Sequence, residues 1–209
     1  MKPTSNNTIR PILIGITGGI GSGKSYICHQ LEQMGHHVFY CDDVAKQIIR
    51  TQADVKRELT ALVGPDVYDA AGQLVKSVLA AYLCRGTDYS HRIDQIVHPR
   101  VAAAFKQQAA LLRPSTPTTL ECDEKVISLQ LLQQLPTDGV LFMECALLFE
   151  SGFDQLVDKS VVVHVSQETQ LKRLIGRDHI SREKALRWIS LQLAEDVKVD
   201  RADYVINNE

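Results

Sequence analysis

The sequence predicts an α/β fold in which helices cover both faces of a parallel sheet, and three local patterns support this. Residues 12–17 form a β-branched run that ends at a glycine cluster, residues 24–34 have helical spacing, and residues 37–41 form a second apolar run. A strand, a helix and a strand within about 30 residues make a βαβ unit, whose two strands lie parallel. Near-continuous apolar strands are typical of a sheet that is buried on both faces.

Later segments supply more strands for the same sheet. Residues 140–143 and 161–165 are apolar strand candidates, and residues 204–206 are a weaker one. Because these strands lie far along the chain from the first two, we expect one unit whose core comprises about residues 10–50 and 138–209.

The stretch between the second and third strands is mostly helical. Helical spacing recurs in residues 54–63, 77–84, 90–112 and 123–135. We expect Pro99 to kink the third of these helices or to begin a new one, because proline lacks a backbone N–H. Residues 113–119 are rich in proline, serine and threonine and predict a loop. The sequence therefore predicts a helical insertion at about residues 51–137.

Composition excludes several classes of protein. The chain has 209 residues, of which 44% are hydrophobic and 23% charged, as in an ordinary globular protein. A net charge of -2 argues against a general nucleic-acid or membrane-surface binder. The longest apolar run, residues 78–84, is far shorter than the roughly 20 residues of a membrane helix. Residues 1–11 are polar and lack the apolar centre of a secretory signal.

The number and spacing of the cysteines indicate a reducing compartment. Five cysteines are scattered along the chain, none in a CxxC spacing, and the seven histidines do not cluster with them. Reduced thiols used as small hydrophobic side chains explain this better than disulfides or a zinc site. We therefore expect a cytoplasmic protein without nucleic-acid or membrane partners. A monomer is the expected state, and the sequence leaves a small homo-oligomer open.

A phosphate-binding motif lies between the first predicted strand and helix. Residues 18–25, GGIGSGKS, match G-x-x-x-x-G-K-[ST] at every fixed position. Glycines let backbone N–H groups close around phosphate oxygens, and the helix N-terminus adds partial positive charge. We expect nucleotide contacts from Gly19, Gly21, Ser22, Gly23, Lys24, Ser25 and Tyr26. Lys24 can bridge the β- and γ-phosphates, and the Ser25 hydroxyl can ligate Mg²⁺, so ATP and Mg²⁺ are the expected ligands.

Catalytic candidates follow the second and fourth strands. Asp42 and Asp43 come after residues 37–41, at the sheet edge where ligands collect. We interpret Asp42 as the base that accepts the proton of an acceptor hydroxyl, and Asp43 as the N-cap of the next helix. Arg173 and Arg177 lie on the helix after the fourth strand. From the residues alone, each could stabilise a transferring phosphoryl group or be a solvated helix residue.

An ordered set of motifs resembles the dephospho-coenzyme A kinase family over nearly the whole chain. The matching pieces are residues 17–25, Asp42 with Ala45, His98 with Pro99, residues 147–150 (LLFE), residues 166–173, Arg177 with Asp178, Gln192, and residues 202–207. The resemblance implies a P-loop kinase fold with a helical substrate-binding insertion and a lid. It also implies ATP-dependent phosphorylation of the ribose 3′-hydroxyl of dephospho-CoA, the last step of coenzyme A synthesis.

The same resemblance implies roles for further residues. Asp42 takes the base position, Arg177 takes the position of the lid at about residues 176–183, and Asn207 falls at the nucleotide. The residues implied for the acceptor region are His98, Leu147 and Phe149. The departures from the family pattern are Tyr40, Cys41, Glu144, Ala146 and Tyr26.

Two other functions remain open at this stage. The chain could be another small-molecule or nucleotide kinase of similar build, which differs only in its acceptor. It could also be a nucleotide-binding regulator without turnover, an interpretation supported by the altered residues 40 and 41. The retained Lys24, Ser25 and Asp42 argue against the regulator.

Overall fold

The structure is a computed structural model, and it describes residues 9–209. Residues 1–8, which form most of the segment tested for a secretory signal, lie outside the described residues.

Five strands form one parallel sheet, as the sequence predicts. They are β1 (Ile12–Thr17), β2 (His37–Tyr40), β3 (Val140–Glu144), β4 (Lys159–His164) and β5 (Tyr204–Asn207). Their order across the sheet is β2-β3-β1-β4-β5. β1 pairs in parallel with β3 on one side and with β4 on the other, and β4 pairs in parallel with β5. β1 is therefore the central strand, and the glycine-rich segment leaves the sheet from its middle.

The central strands are apolar along almost their whole length because they are covered on both faces. All five residues of β3 are buried, and so are the four central residues of β4. The helices are α1 (Lys24–Gln33), α2 (Cys41–Thr51), α3 (Ala53–Val63), α4 (Lys76–Leu83), α5 (Thr87–Leu111), α6 (Leu129–Gln133), α7 (Gln167–Asp178), α8 (Arg182–Ser190) and α9 (Glu195–Arg201). Helices that cover both faces confirm the α/β prediction. No helix within residues 9–209 combines the length and apolar character needed to cross a membrane.

The structure divides into two compact units. Of the described residues, 9–39 and 108–209 form one unit, and Tyr40–Gln107 form the other. The insertion therefore begins and ends earlier than the predicted 51–137, and residues 108–137 belong to the unit that holds the glycine-rich segment. Within the second unit, Arg100 links α5 to α3. Its guanidinium donates to Asp54 at 2.8 Å and pairs with Glu58 at 2.5 Å.

Residues 123–135 do not form the single helix that their sequence predicts. Only Leu129–Gln133 is helical, and the preceding residues are extended beside β5. The backbone N–H of Val205 donates to Lys125 O at 2.8 Å, and the N–H of Ile127 donates to Val205 O at 2.9 Å. Two tertiary hydrogen bonds thus override the local helical pattern. The loop predicted over residues 113–119 is confirmed.

Pro99 begins no new helix. α5 continues through it from Thr87 to Leu111. Proline lacks the N–H that would donate to the Gln95 carbonyl, so the helix loses one hydrogen bond of its ladder without ending. The Arg100 guanidinium donates to Ile96 O at 2.6 Å.

Asp158 joins β1 to the loop before β4. Its carboxylate accepts two hydrogen bonds from Arg10 at 2.7 Å and one from the Leu13 N–H at 2.9 Å. Burial opposes ionisation of this carboxyl, but these donors outweigh burial and lower its pKa below the usual value.

We expect Asp158→Asn to lower the free energy of unfolding by about 1–2 kcal/mol at pH 7, because a partly buried charge-assisted network is weakened. The lowered pKa means that wild type gains this stability above the unfolded pKa, near 4, and loses it as pH falls through the folded pKa. Urea unfolding of both proteins from pH 7 downward should therefore show the difference shrinking in acid. Asp43→Asn, at an exposed pair with Lys46, is the control. Equal losses in the two variants would contradict the assignment.

Candidate active site

The glycine-rich turn runs from the end of β1 at Thr17 to the start of α1 at Lys24. Gly21 and Gly23 have φ values of 82° and 93°, in the left-handed region that favours glycine. Gly18 has φ 146°, and a Cβ on it would lie 2.4 Å from the carbonyl oxygen of Val163 in β4. A side chain at this position would therefore separate the turn from the sheet.

The carbonyl groups of this turn accept hydrogen bonds from Lys24, within the turn, and from side chains in other parts of the same unit. Lys24 Nζ donates to Gly18 O at 2.9 Å, and Arg173 donates to Ser22 O at 3.2 Å. Asn208 Nδ2 also donates to Ser22 O, at 2.8 Å. A turn whose N–H groups gather around an anion must direct its carbonyl groups elsewhere, and those carbonyls need donors. This arrangement fits a phosphate-binding loop.

Two serines of the turn differ in their surroundings. Ser22 is fully buried, and its Oγ has no hydrogen-bond partner among residues 9–209. A buried hydroxyl without a partner is costly, so an added ligand oxygen would satisfy it. Ser25 is exposed in the first turn of α1, where its hydroxyl can reach a metal ion. The side chain of Tyr26 is 61% exposed, which leaves its backbone N–H as its contribution to a phosphate site.

Lys24 is 8% exposed and lies within the turn rather than in solvent. Its ammonium group contacts Gly18 O, and Gly19 O at 3.4 Å. These contacts place a positive charge beside the backbone that would surround a phosphate. A contact of this lysine with the β- and γ-phosphates stays a prediction.

Glu144 is a buried carboxylate that the sequence interpretation treated only as a departure from the family pattern. It ends β3, is 8% exposed, and lies opposite Ile16 of β1 in the sheet register. Burial, and then the negative charge of Glu144, raise the pKa of the Cys28 thiol on α1. The carboxylate therefore lies near α1, the helix that follows the phosphate loop. The sequence pattern that could have identified Glu144 is an acidic residue directly after the apolar strand at residues 140–143.

Arg173 and Arg177 lie one helical turn apart on α7 but contact different groups. The guanidinium of Arg173 donates to Gly21 O at 3.4 Å, Ser22 O at 3.2 Å and Asn208 O at 2.7 Å. Arg177 instead forms two hydrogen bonds to the neighbouring Asp178, at 3.0 and 2.8 Å, and its side chain is 62% exposed. The arginine that supports the turn is therefore Arg173, and a catalytic role for Arg177 stays a prediction.

The asparagine at the C-terminal end of β5 that donates to the turn is Asn208, and a nucleotide contact of Asn207 stays a prediction. Asn207 pairs with His164 in the sheet and is exposed. Asn208 is held by a backbone hydrogen bond to His164 O at 2.9 Å, which aims its side chain at Ser22. Two consecutive asparagines were visible in the sequence, but strand alternation without a known register could not select between them.

Two of the residues expected near the acceptor, Leu147 and Phe149, differ in their exposure to solvent. Leu147, after β3, is 42% exposed and available for a contact. Phe149 is 6% exposed and packs against Val162 and Ala202, with the guanidinium of Arg201 4.6 Å above its ring. Phe149 therefore packs in the core, and its contact with an acceptor stays a prediction.

The remaining candidates, Asp42, Asp43 and His98, belong to the second unit. β2 ends at Tyr40 rather than Cys41, and α2 begins at Cys41, so both aspartates lie in the first turn of α2. Tyr40 is the N-cap, so the prediction that Asp43 caps this helix is wrong. Asp43 instead pairs with Lys46 at 3.0 Å in solvent, and Asp42 is exposed.

His98 lies on α5 and pairs with Asp94 at 3.4 Å, one turn earlier.

A cavity of about 330 Å³ lies away from the glycine-rich turn. Its lining includes Ile12 and Lys159, the first residues of β1 and β4. The turn follows the opposite, carboxyl end of β1, where ligands of open parallel sheets bind. We therefore exclude this cavity as the nucleotide site.

Comparisons with known proteins agree with the geometry. A family model described as dephospho-CoA kinase matches residues 12–122 and 125–209. A dephospho-CoA kinase of Bacteroides fragilis is 35% identical over 198 residues, which cover 95% of this chain and 85% of the relative. One of Fusobacterium nucleatum is 32% identical over 197 residues, covering 94% and 89%.

Solved structures give the same picture of the fold. The crystal structure of TT1252 from Thermus thermophilus is 27% identical, with a TM-score of 0.73, and the match covers 96% of this chain and 90% of that one. The dephospho-CoA kinase from Campylobacter jejuni is 19% identical, with a TM-score of 0.53 over 94% and 88% of the chains. The latter likeness concerns the fold alone.

The contrast between Arg173 and Arg177 predicts separable kinetic effects. Arg173→Ala removes the side-chain donor to Gly21 O and one of the two to Ser22 O, and we expect ATP affinity to fall roughly tenfold, equivalent to about 1.4 kcal/mol. Arg177→Ala should lower kcat more than it weakens ATP binding, because a lid contact matures as the phosphoryl group transfers. Calorimetric ATP titration and steady-state kinetics of both variants measure this. Equal losses of ATP affinity would contradict the distinction.

Proposed function

The chain belongs to the dephospho-CoA kinase family, and on this premise we propose that it transfers the γ-phosphoryl group of ATP to the ribose 3′-hydroxyl of dephospho-CoA. This reaction is the last step of coenzyme A synthesis. The observation that carries the donor half of the proposal is the glycine-rich turn, whose carbonyl oxygens are held by Lys24, Arg173 and Asn208. The acceptor half rests on the family.

The donor site is the N-terminal end of α1. Gly21 and Gly23 supply the backbone conformation, the helix terminus supplies partial positive charge, and the orphaned Ser22 hydroxyl supplies an interaction for a phosphate oxygen. Lys24, now bound to Gly18 O, is near enough to exchange that carbonyl for a phosphate oxygen. Preorganised charge of this kind stabilises phosphoryl transfer without reorganisation of solvent.

The residues present also fit Mg²⁺. Within residues 9–209 no group of three or more His, Cys, Asp or Glu side chains could hold a metal ion alone. Mg²⁺ in kinase sites is held through few protein ligands together with substrate phosphates, which suits the exposed Ser25 hydroxyl. When bound, Mg²⁺ would neutralise charge on the β- and γ-phosphates.

We assign the base to Asp42. Its position directly after β2, in the first turn of α2, and its match to the family position support this role. On the acceptor side, exposed Leu147 offers an apolar contact, and His98 stays a family-based expectation.

We also propose a cytoplasmic, monomeric enzyme. All five cysteines are free thiols, three of them buried, which suits a reducing compartment.

The function is tested by supplying ATP, Mg²⁺ and dephospho-CoA and measuring ADP release, with phosphorus NMR to locate the new phosphate. We expect the product to carry the new phosphate on the 3′-oxygen, and we expect a panel of nucleosides and sugars to be poor acceptors.

Lys24→Ala tests the donor site. The variant should remain folded and lose about 3–4 kcal/mol of transition-state stabilisation. Phosphate on another oxygen, or near-normal turnover in Lys24→Ala, would refute the proposal.

The neighbouring aspartates provide a matched pair for the base. Asp42→Asn keeps the shape but removes the proton acceptor, so kcat should fall by roughly 10²–10⁴-fold while ATP affinity stays near wild type. Asp43→Asn removes only an exposed pair with Lys46, which is worth at most about 1 kcal/mol, and should have little effect. Steady-state kinetics with ATP and dephospho-CoA compare the two. Equal, mild losses would defeat the assignment of Asp42.

A further inference from the structure

Lys198, on α9, is a lysine in an unusual environment. Its side chain is 0% exposed, and Nζ has no hydrogen-bond partner among residues 9–209. The nearest carboxylate oxygen, Glu150 Oε1, is 4.0 Å away. Burial lowers the pKa of this ammonium, while the charges of Glu150 and Glu195 oppose that shift. An ammonium in the interior without ideal partners is costly, and apolar replacement of such groups is often neutral or stabilising. General stability therefore gives no reason for a lysine here.

The two carboxylates around Lys198 both reach the phosphate loop or its neighbours. Glu150 Oε1 accepts a hydrogen bond from the backbone N–H of Leu193 at 2.9 Å. Glu195 Oε2 lies only 3.0 Å from where a Cβ of Gly19 would stand. The buried ammonium group of Lys198 therefore lies near two carboxylates. One of them, Glu150, is bonded to Leu193, and the other, Glu195, lies beside Gly19 of the phosphate loop.

The residue before Leu193 completes the connection. Gln192 Oε1 accepts a hydrogen bond from the backbone N–H of Ile20, within the phosphate loop, at 2.7 Å. Residues 191–194 join α8 to α9, and we call them the α8–α9 connection. This short segment is bonded on one side to Glu150 and on the other to the phosphate loop. Any displacement of the loop backbone at Ile20 therefore acts on the end of α8.

We propose that Lys198 is a positioning residue, which holds the α8–α9 connection against the phosphate loop so that nucleotide binding is transmitted through Gln192 to α8. The proposal relies on the proposed function only in that the loop binds ATP. Lys198 acts through Glu150 and Glu195, and Gln192 makes the bond that couples loop and helix. Small shifts of packed elements are transmitted in this way because packed interiors resist continuous deformation.

Trp188 provides a reporter that needs no turnover. It is the single tryptophan of the chain and lies on α8, with Lys184 Nζ 5.2 Å from the centre of its ring. In the wild-type chain, addition of MgATP without acceptor should change Trp188 emission in proportion to occupancy, which calorimetry measures independently. Binding without any change in emission would overturn the proposal. A failure of the chain to phosphorylate dephospho-CoA would leave this experiment unaffected, and would instead refute the proposed function.

Three variants and one control variant distinguish a positioning role of Lys198 from a packing role. Gln192→Met removes the acceptor for Ile20 and should abolish most of the emission change, whereas Gln192→Glu keeps an acceptor oxygen and should retain it. Lys198→Met keeps the aliphatic stem and should reduce both the emission change and kcat, the latter roughly tenfold to a hundredfold, as expected for misplacement of a site by about 1 Å. Lys159→Met, at the opposite end of β4 and paired with Glu121, is the matched control and should behave as wild type.

The double variant Lys198→Met with Glu150→Gln distinguishes a positioning role of Lys198 from simple compensation of charge. It also removes the charge of Glu150, which the single change leaves without its nearest cation, so the thermal midpoint should recover. If Lys198 positions the connection, kcat and the emission change stay low in this stable protein. If they recover together with the thermal midpoint, Lys198 only compensates a buried charge and the proposal is wrong.

Discussion

The outward-facing carbonyl groups of the glycine-rich turn impose the constraint on which the rest of this unit depends. Backbone N–H groups can surround a phosphate only if the carbonyls of the same peptides point away from it, into protein. Those carbonyls then need donors inside the fold. Lys24 supplies one from within the turn, Arg173 supplies several from α7, and Asn208 supplies another from the end of β5. Segments distant in sequence are therefore brought together by the hydrogen-bonding needs of one short loop.

This constraint explains why the C-terminal third of the chain is organised as it is. α7 must approach the loop closely, and Gly21 allows this, because a Cβ there would lie 3.1 Å from Gln170 O. The terminal residues are held in turn by α7, since the side chain of Glu209 accepts hydrogen bonds from the backbone of Ser166 and, at 2.7 Å, from the Thr169 hydroxyl. These donors lower the pKa of the Glu209 carboxyl. Asn208, between this anchor and β5, has little freedom to leave the loop.

The sequence predicts the parts of the structure whose signal is local. The motif at residues 18–25, the apolar strands and the loop at 113–119 each contain their own evidence, because backbone conformation and burial follow from neighbouring residues. Arg173 and Arg177 look alike in sequence, and only the approach of α7 to the loop distinguishes them. Asn207 and Asn208 differ only by strand register, and residues 125–127, the first part of the helix predicted at 123–135, pair with β5 instead. All of these depend on tertiary contacts.

The pairing of residues 125–127 with β5 has a consequence for how the protein behaves in a crowded solution. β5 is the last strand of the sheet, so its outer side would present open hydrogen-bonding groups along its length. The extended segment that contains Val126 occupies both the N–H and the carbonyl of Val205 on that side. A short strip of the chain's own backbone thus takes the place that a strand from another molecule would fill, which protects this edge against self-association.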